Sequence, residues 1–148
     1  RPGAVTLEQL QKVLGKIVIH PVIYGKKTKS IHRSPGMKYR HYSPTAKIIL
    51  VQGPKSKVRQ KISHLLQYHK KQGLRVGILS VEPNYTKSDM TRFIGNNPNT
   101  IAANLFKVFR EFDAKKIDIV LAQGISQKGL GLGIMNRLGK AAYKKISA

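Results

Sequence analysis

The stretch Lys47-Ile-Ile-Leu-Val-Gln-Gly-Pro54 decides the fold, because it joins a strand pattern directly to a helix pattern. Its apolar run is short, as in a strand that is buried on both faces, and Gly53-Pro54 is a turn signal that ends the run. Apolar residues then recur at helical spacing, with Lys and Arg on the opposite face: Val58, Ile62, Leu65 and Leu66. Gly73 is a suitable residue to end this helix.

The alternation of strand and helix continues to the end of the chain. Arg75–Val81 is typical of a second strand, Asn97-Pro98 of the start of a second long helix, and Ile117–Ala122 of a third strand. Small and apolar residues after a glycine-rich loop predict a final helix: Ile134, Leu138, Ala141 and Ala142. This pattern predicts parallel βαβ units, and therefore a small three-layer Rossmann-like α/β domain with a mostly parallel sheet over residues 47–148.

The preceding residues follow a different pattern. Residues 1–25 are predicted to form an end piece, with a capping box at Thr6–Gln9 that begins a helix and with a short strand at Ile17–Ile19. The apolar side of that helix needs another surface to bury it. Residues 26–46 are predicted to be an extended linker. Between the second strand and the second long helix we expect an irregular polar stretch, with one helical turn around Met90–Ile94.

The charge of the chain is strongly one-sided. Lys and Arg total 28 against 6 acidic residues, for a formal net charge of +22. Such a chain attracts polyanions in a salt-sensitive way, so tRNA or another nucleic acid is a candidate partner. The alternative is that the charges are simply solvated helix faces. The basic residues gather along the first long helix and on the predicted last helix: Lys55, Lys57, Arg59, Lys61, Lys70, Lys71, Arg75, Arg137, Lys140, Lys144 and Lys145.

The composition also excludes several kinds of site. With no cysteine, the chain has no disulfide, no thiolate nucleophile and no Cys-containing zinc site, which fits a reducing compartment. No apolar run is long enough to span a membrane, so we expect no membrane partner. The few acidic residues do not suggest a catalytic carboxylate pair, and the histidines do not form a recognisable metal-ligand set. We therefore predict no metal site.

The glycine-rich loop is the first candidate for ligand binding. Gly129, Gly131 and Gly133 precede the last helix, where backbone N–H groups and the helix dipole could hold a phosphate. The spacing is neither the dinucleotide fingerprint nor a Walker loop. The alternative is that small residues allow the helix to pack closely on the sheet. In an open α/β sheet the expected ligand crevice lies beyond the carboxyl ends of the strands, here Gly53-Pro54, Glu82-Pro83 and Gln123-Gly124.

The segment Ser34–Pro44 is the second candidate. It carries two prolines that bracket cations interleaved with tyrosines: Lys38, Tyr39, Arg40, His41 and Tyr42. Cations and aromatic faces presented together suit a phosphate, a nucleobase or both. Considered from composition alone, the segment is more typical of a charged, extended linker than of a binding segment.

Three stretches of the chain, taken in order, carry a family resemblance. They are Arg1-Pro-Gly-Ala-Val5, Ser34-Pro-Gly-Met-Lys-Tyr-Arg-His-Tyr-Ser-Pro44 and Gly129-Leu-Gly-Leu-Gly-Ile-Met-Asn-Arg-Leu138. They resemble, respectively, the closing strand of the YrdC-type catalytic domain, the interdomain linker, and the start of the last helix in the two-domain threonylcarbamoyl-AMP synthases. The resemblance covers nearly the whole chain.

The resemblance implies a reaction and its participants. The family joins L-threonine, bicarbonate and ATP into threonylcarbamoyl-AMP, releases pyrophosphate, and so feeds threonylcarbamoyladenosine formation in tRNA. ATP would be a substrate, with Mg²⁺ held by the catalytic domain, and no cofactor would be intrinsic to this chain. The partners would be the catalytic domain and these substrates. The chain alone is expected to be inactive and to contain no catalytic residue, and the whole enzyme to be cytoplasmic or organellar.

The resemblance also implies residue roles. Arg1 would lie near the ATP phosphates, and Arg40, His41 and Tyr42 would touch the nucleotide, with Lys38 and Tyr39 as secondary candidates. The linker would act as a lid over a labile mixed anhydride, and residues 47–148 would anchor it. Two alternatives remain at this point: an autonomous module that binds RNA or DNA, and a nucleotide-regulated domain that uses Gly129–Gly133.

Overall fold

The computed structural model describes residues 3–24, 44–83, 85 and 88–148. Among these residues it contains a five-stranded sheet, four α-helices and one short 3₁₀-helix at Pro21–Tyr24. In chain order the other elements are α1 (Leu7–Leu14), β1 (Lys47–Gln52), α2 (Lys55–Lys71), β2 (Val76–Ser80), β3 (Met90–Phe93), α3 (Pro98–Ala114), β4 (Ile119–Gln123), α4 (Leu130–Ala141) and β5 (Ala142–Ser147). No helix in these ranges is long and apolar enough to cross a membrane.

The sheet is parallel throughout, in the order β3-β2-β4-β1-β5. The helices cover both of its faces. Val58 and Ile62 of α2 pack with Ile49 and Val51, while α3 and α4 pack against the face that carries Ile48. Because neighbouring strand residues point to opposite faces, this arrangement buries β1, β2 and β4 on both sides. The predicted three-layer Rossmann-like fold is therefore confirmed.

The ends of the long helices follow the predicted signals. Asn97 caps α3, since its side-chain oxygen accepts a hydrogen bond from the Thr100 N–H, and Pro98 takes the first helical position. Gly73 follows the end of α2 with φ of +75°, a conformation that glycine adopts without strain. These local signals fix where the chain turns back towards the sheet.

Two strands correct the sequence-based expectations. Met90–Phe93, expected to contain a helical turn, forms the edge strand β3 beside β2. Ala142, expected in the last helix, begins the other edge strand, so Lys144 and Lys145 lie on β5 and not on a helix. Each of these strands pairs with only one neighbour, and β5 is mostly exposed. Their residues therefore lack the continuous apolar run that marks a central strand.

The N-terminal segment, residues 3–24, is built differently from the sheet region. The capping box at α1 is confirmed, because Thr6 and Gln9 exchange hydrogen bonds between side chain and backbone. The strand expected at Ile17–Ile19 is wrong, since these residues pair with no strand in the described structure. No residue of α1 is buried, and the Val13 side chain is 82% exposed.

Candidate functional site

A crevice lies where the carboxyl ends of β1 and β4 meet. These strands are neighbours in the sheet, but the chain leaves β1 for α2 on one face and leaves β4 for α4 on the other. The divergence of the two connections opens a gap, which is the usual ligand position in open α/β sheets. Gly124 lets the strand ends approach closely, because a Cβ there would lie 2.9 Å from Gln52 Cγ and 3.1 Å from the Val51 oxygen.

The crevice continues into a cleft of about 550 Å³ along the carboxyl edge of the sheet. This volume lies within the range that small organic ligands occupy in proteins. Four loops, the ends of β1 and β4, and the helices α2 and α3 contribute its lining: Gln52, Gly53, Lys55, Val81, Glu82, Asn96, Pro98, Ile101, Gln123, Gly124, Ile125, Ser126 and Lys128. The predicted position of the ligand crevice, at Gly53-Pro54, Glu82-Pro83 and Gln123-Gly124, therefore coincides with a real cleft.

Two buried polar side chains shape the inner end of this cleft. Ser80 is fully buried at the end of β2, and Gln123 is 2% exposed at the end of β4. Gln123 Oε1 accepts hydrogen bonds from Ser80 Oγ at 3.3 Å and from the Val81 N–H at 3.2 Å. The single Ser80 hydroxyl proton is shared with the nearer Glu82 carbonyl oxygen at 2.7 Å, and Ser80 Oγ accepts from the Glu82 N–H at 2.9 Å. This network fixes the backbone that leaves β2.

Sequence reasoning missed this pair, because neither residue belongs to a known motif. A usable signal was nonetheless present: both are polar residues that end otherwise apolar strands. In a buried parallel strand a polar residue needs a hydrogen-bond partner, and the neighbouring strand end is the nearest source of one. The same reasoning draws attention to Gln52 at the end of β1, which lines the same cleft.

The outer part of the cleft is charged. Lys55, at the start of α2, and Lys128, in the loop before α4, both line it and are exposed. Glu82 is the acidic residue among the described lining, and its carboxylate lies 3.8 Å from Lys55 Nζ. Two cations against one carboxylate make the opening electropositive. This site therefore favours a ligand with a negative group at its outer end.

The structure places the glycines of the predicted phosphate loop at the start of α4. Gly129 adopts φ of +55°, and a Cβ at Gly131 would collide with the Ser126 carbonyl oxygen, so close packing requires that glycine. The Gly129 N–H donates to Glu8 Oε1 at 3.1 Å, and the Gly131 N–H donates to the Lys128 carbonyl oxygen at 3.0 Å. Gly133 is buried within α4. A phosphate role for Gly129, Gly131 and Gly133 stays a prediction.

The three aspartates of the sheet region bind backbone amides rather than one another. Asp113 Oδ1 accepts from the Thr45 N–H at 2.9 Å, and Asp118 Oδ2 accepts from the Arg75 N–H at 2.8 Å. Asp89 Oδ2 accepts from the Val76 N–H at 2.8 Å, a bond that lowers the pKa of its carboxyl below the usual range. The described ranges contain no group of three or more His, Cys, Asp or Glu residues that could hold a metal ion.

The residues to which the resemblance assigns nucleotide contacts are not among the described residues that line this cleft. Arg1, and the linker residues Lys38, Tyr39, Arg40, His41 and Tyr42, all lie outside the described residues. The structure does describe both flanks of the linker. Asn136 Nδ2 of α4 donates to the Ile23 carbonyl oxygen at 2.8 Å, and Asp113 of α3 binds the Thr45 and Ala46 amides. Both flanks of the linker are thus hydrogen-bonded to helices on the same face of the sheet.

Comparison with known sequences identifies the family. The family described as "Threonylcarbamoyl-AMP synthase, C-terminal domain" matches residues 5–143. The threonylcarbamoyl-AMP synthase of Pyrococcus abyssi is 45% identical over 146 residues, which are 99% of this chain and 42% of that protein. The Bacillus subtilis protein of the same name is 38% identical over 150 residues, with the same two coverages. The chain thus spans less than half the length of these curated relatives.

Solved structures agree with this result. The crystal structure of Pyrococcus abyssi Sua5 in complex with L-threonine superposes with a TM-score of 0.91 at 44% identity, covering all of this chain and 43% of that one. The C-terminal Sua5 domain from Pyrococcus horikoshii superposes with a TM-score of 0.62 at 39% identity, covering 71% of this chain and 99% of that one. From its sequence and its fold, this chain belongs to the C-terminal domain family of the threonylcarbamoyl-AMP synthases.

Proposed function

We propose that this chain works as the C-terminal part of an enzyme that joins L-threonine, bicarbonate and ATP into threonylcarbamoyl-AMP and releases pyrophosphate, for tRNA modification. The observation that carries the proposal is the 45% identity, over 99% of the chain, to a protein named for that product. In this proposal residues 1–25 are the tail of the catalytic domain, 26–46 the linker and 47–148 the C-terminal domain. The catalytic domain binds Mg²⁺ with the ATP, and the enzyme is cytoplasmic or organellar.

The exposed side of the N-terminal segment supports a catalytic-domain partner. Val13 and Leu14 of α1 are 82% and 67% exposed, and Val18 just beyond the helix is 88% exposed. Single exposed apolar residues are common, but these three lie close together along one short segment. A further domain that packed on this segment would remove the apolar side chains from water.

The linker is the part of the chain that we assign to the nucleotide. Arg40 supplies a fixed cation for phosphates, His41 supplies a hydrogen-bonding ring, and Tyr42 supplies an aromatic face for the base. Lys38 and Tyr39 add a second cation and a second ring, and Arg1 lies near the phosphates. Threonylcarbamoyl-AMP is a mixed anhydride that water destroys, so a loop closing over it protects the product until transfer.

The hydrogen bonds at the two flanks of the linker support the anchoring role. Ile23 is held by Asn136, and Thr45 and Ala46 are held by Asp113. A loop whose ends are tied to a rigid sheet loses less conformational entropy when it closes than a loop with free ends. The C-terminal domain thereby fixes the points about which the linker opens and closes.

The test is threonylcarbamoyl-AMP formation by the full-length enzyme with Arg40, His41 and Tyr42 all changed to Ala. We expect a loss of about a hundredfold, because misplacing the reacting groups has an effect of that order. The matched control changes Lys26, Lys27 and Lys29 to Ala, which removes three linker cations outside the assigned segment. Full turnover by the first variant, or an equal loss in the control, would leave the linker as a plain tether.

A second function has its own supporting observation, the net charge of +22. Exposed cations lie near both ends of α2: Lys55, Lys57, Lys70 and Lys71. This distribution supports weak, sequence-independent binding of tRNA or another nucleic acid. We expect the logarithm of the affinity to fall linearly with the logarithm of the salt concentration. Binding that is insensitive to salt would contradict a purely electrostatic contact, and no binding at low salt would remove this function.

The glycine-rich loop is a further proposed anion site. Its support is that Gly129 already binds an anion, the Glu8 carboxylate, at the N-terminus of α4. A phosphate at Gly129, Gly131 and Gly133 would have to displace Glu8. Changing Glu8 to Gln should therefore strengthen inorganic phosphate binding measured by calorimetry, and unchanged heats in the variant would argue against the site.

A further inference from the structure

We propose that the cleft between the carboxyl ends of β1 and β4 binds a mononucleotide, with the base towards Gln123 and the phosphates towards Lys55 and Lys128. The proposal rests on side chains of the sheet region and does not use the linker. It also does not depend on the proposed enzyme activity, because its test measures binding to the 148-residue chain itself.

The first support is a side-chain amide at the inner end of the cleft. Gln123 is 2% exposed and lines the cleft, and its side-chain oxygen is held by Ser80 and the Val81 N–H. These two bonds use only the amide oxygen, so the amide nitrogen of Gln123 can donate to a ligand in the cleft. A ligand that carries a hydrogen-bond acceptor at this end of the cleft would receive that N–H.

The second support is the shape and polarity of the walls. Val81, Ile101 and Ile125 supply apolar surface to a cleft of about 550 Å³, which is much larger than a single phosphate needs. A flat heterocycle fits such walls, and its ring nitrogens or carbonyl oxygens can accept the Gln123 N–H. An inorganic anion would leave these apolar walls uncovered.

The third support is the charge at the opening. Lys55 has a side chain that is 87% exposed, and Lys128 is also exposed, whereas Gln123 is nearly buried. Cations therefore stand at the outer end of the cleft and a neutral donor at the inner end. A mononucleotide has the matching order, with a neutral base at one end and phosphates at the other. Glu82 competes for Lys55 and weakens this attraction.

The experiment is calorimetric titration of the 148-residue chain with ATP and AMP at an ionic strength of about 0.15 M, which screens nonspecific surface attraction. We expect one nucleotide per chain. Changing Gln123 to Glu keeps an acceptor for Ser80 but replaces the donor by an anion, and should weaken binding by about tenfold or more. Changing exposed Asn96 to Trp fills the cleft without altering the core and should abolish binding, even if the Gln123 variant folds poorly.

Matched charge variants distinguish ATP binding in the cleft from nonspecific attraction to the positively charged chain. Changing Lys55 to Gln removes a cation that lines the cleft, whereas changing Lys57 to Gln removes an exposed cation of the same helix that does not. We expect the first change to weaken ATP binding and the second to alter it by less than about twofold. Changing Glu82 to Gln should strengthen binding, because Lys55 then loses its competing partner.

Three results would overturn the proposal. The first is no heat of binding with ATP up to about 1 mM, since weaker affinity would not fit a formed pocket. The second is inorganic pyrophosphate binding as tightly as ATP, which would show that the base makes no contact. The third is an equal loss in the Lys55 and Lys57 variants, which would reduce the effect to the net charge of the chain.

Discussion

The sheet region and the N-terminal segment of this chain bury their apolar residues to very different extents. In the sheet region the strand residues Ile48 and Val51, and Phe112 of α3, are fully inaccessible to solvent. In the N-terminal segment every residue of α1 remains at least partly exposed, and that helix is well capped at both ends. Good local signals thus form a helix in both regions, but only the sheet region supplies a partner for the helix face.

This difference shows that the sheet region buries its own apolar core, whereas α1 leaves its apolar side chains at least partly exposed. The helices α2, α3 and α4 are stabilised mainly by packing on the sheet, as is usual for helices of ordinary length. Among the hydrogen bonds between described residues, helix α1 makes local ones and the contact between Glu8 and Gly129. The folding free energy of the chain should therefore depend on the sheet region and be nearly independent of the apolar side of α1.

The largest expected effect is on the core of the sheet region. Changing Phe112 to Ala should lower the free energy of unfolding by about 3–5 kcal/mol, because it leaves a cavity between α3 and the sheet. Changing Val13 to Ala in α1 is the control and should change it by less than about 0.5 kcal/mol. Urea unfolding of both variants measures the contrast. A similar loss in both would mean that α1 is part of the same core.

A smaller effect is expected where the chain enters the sheet region. Asp113 accepts hydrogen bonds from the Thr45 and Ala46 amides, and changing it to Ala should cost about 1–3 kcal/mol and speed hydrogen exchange at those two amides. Changing Asp113 to Asn, which keeps an acceptor oxygen, should recover part of the loss. Unchanged exchange at Thr45 and Ala46 in the Ala variant would contradict this anchor.

The pH dependence of stability provides a third contrast within the sheet region. The Val76 N–H, and then Lys70, hold the pKa of Asp89 below its usual value, so Asp89 stabilises the fold above about pH 4 and this contribution is lost as the pH falls through its folded pKa. Changing Asp89 to Asn should therefore lower the urea midpoint at pH 7 more than at pH 2. An equal difference at both values would show that the charge is not involved.

The smallest effect concerns the contact between α1 and the loop that precedes α4. Glu8 is held in its charged form by its own backbone N–H and by that of Gly129, so the pKa of its carboxyl is lowered. The Gly129 amide resonance should shift as the pH falls through that lowered pKa, and changing Glu8 to Gln should abolish the shift with little change in stability. A Gly129 resonance that does not titrate in the parent chain would show that the contact is absent in solution.

The sequence was most informative where burial is most complete. The central strands β1, β2 and β4 carry apolar runs because both faces are covered, so Lys47–Gln52 could be recognised without any structure. The edge strands Met90–Phe93 and Ala142–Ser147 could not, because solvent on their open sides admits Thr, Arg and Lys. Ile17–Ile19 shows the reverse error: β-branched residues favour a strand, but no strand lies beside them.

The candidate site was predictable in position but not in chemistry. Parallel strands joined by helices place the crevice at Gln123-Gly124 by a general rule. The hydrogen bonds between Ser80 and Gln123 depend on which strands become neighbours, and β2 and β4 are separated in the chain by β3 and α3. A pattern read along one chain contains no direct information on that pairing.

The most direct test compares pyrophosphate release by this 148-residue chain with release by the protein that joins it to its catalytic domain. Both are supplied with ATP, bicarbonate and L-threonine, and threonylcarbamoyl-AMP is measured alongside. The expected result is threonine-dependent release and product formation by the longer protein and neither by the chain alone. Threonine-dependent release by the isolated chain, or none by the longer protein, would contradict it.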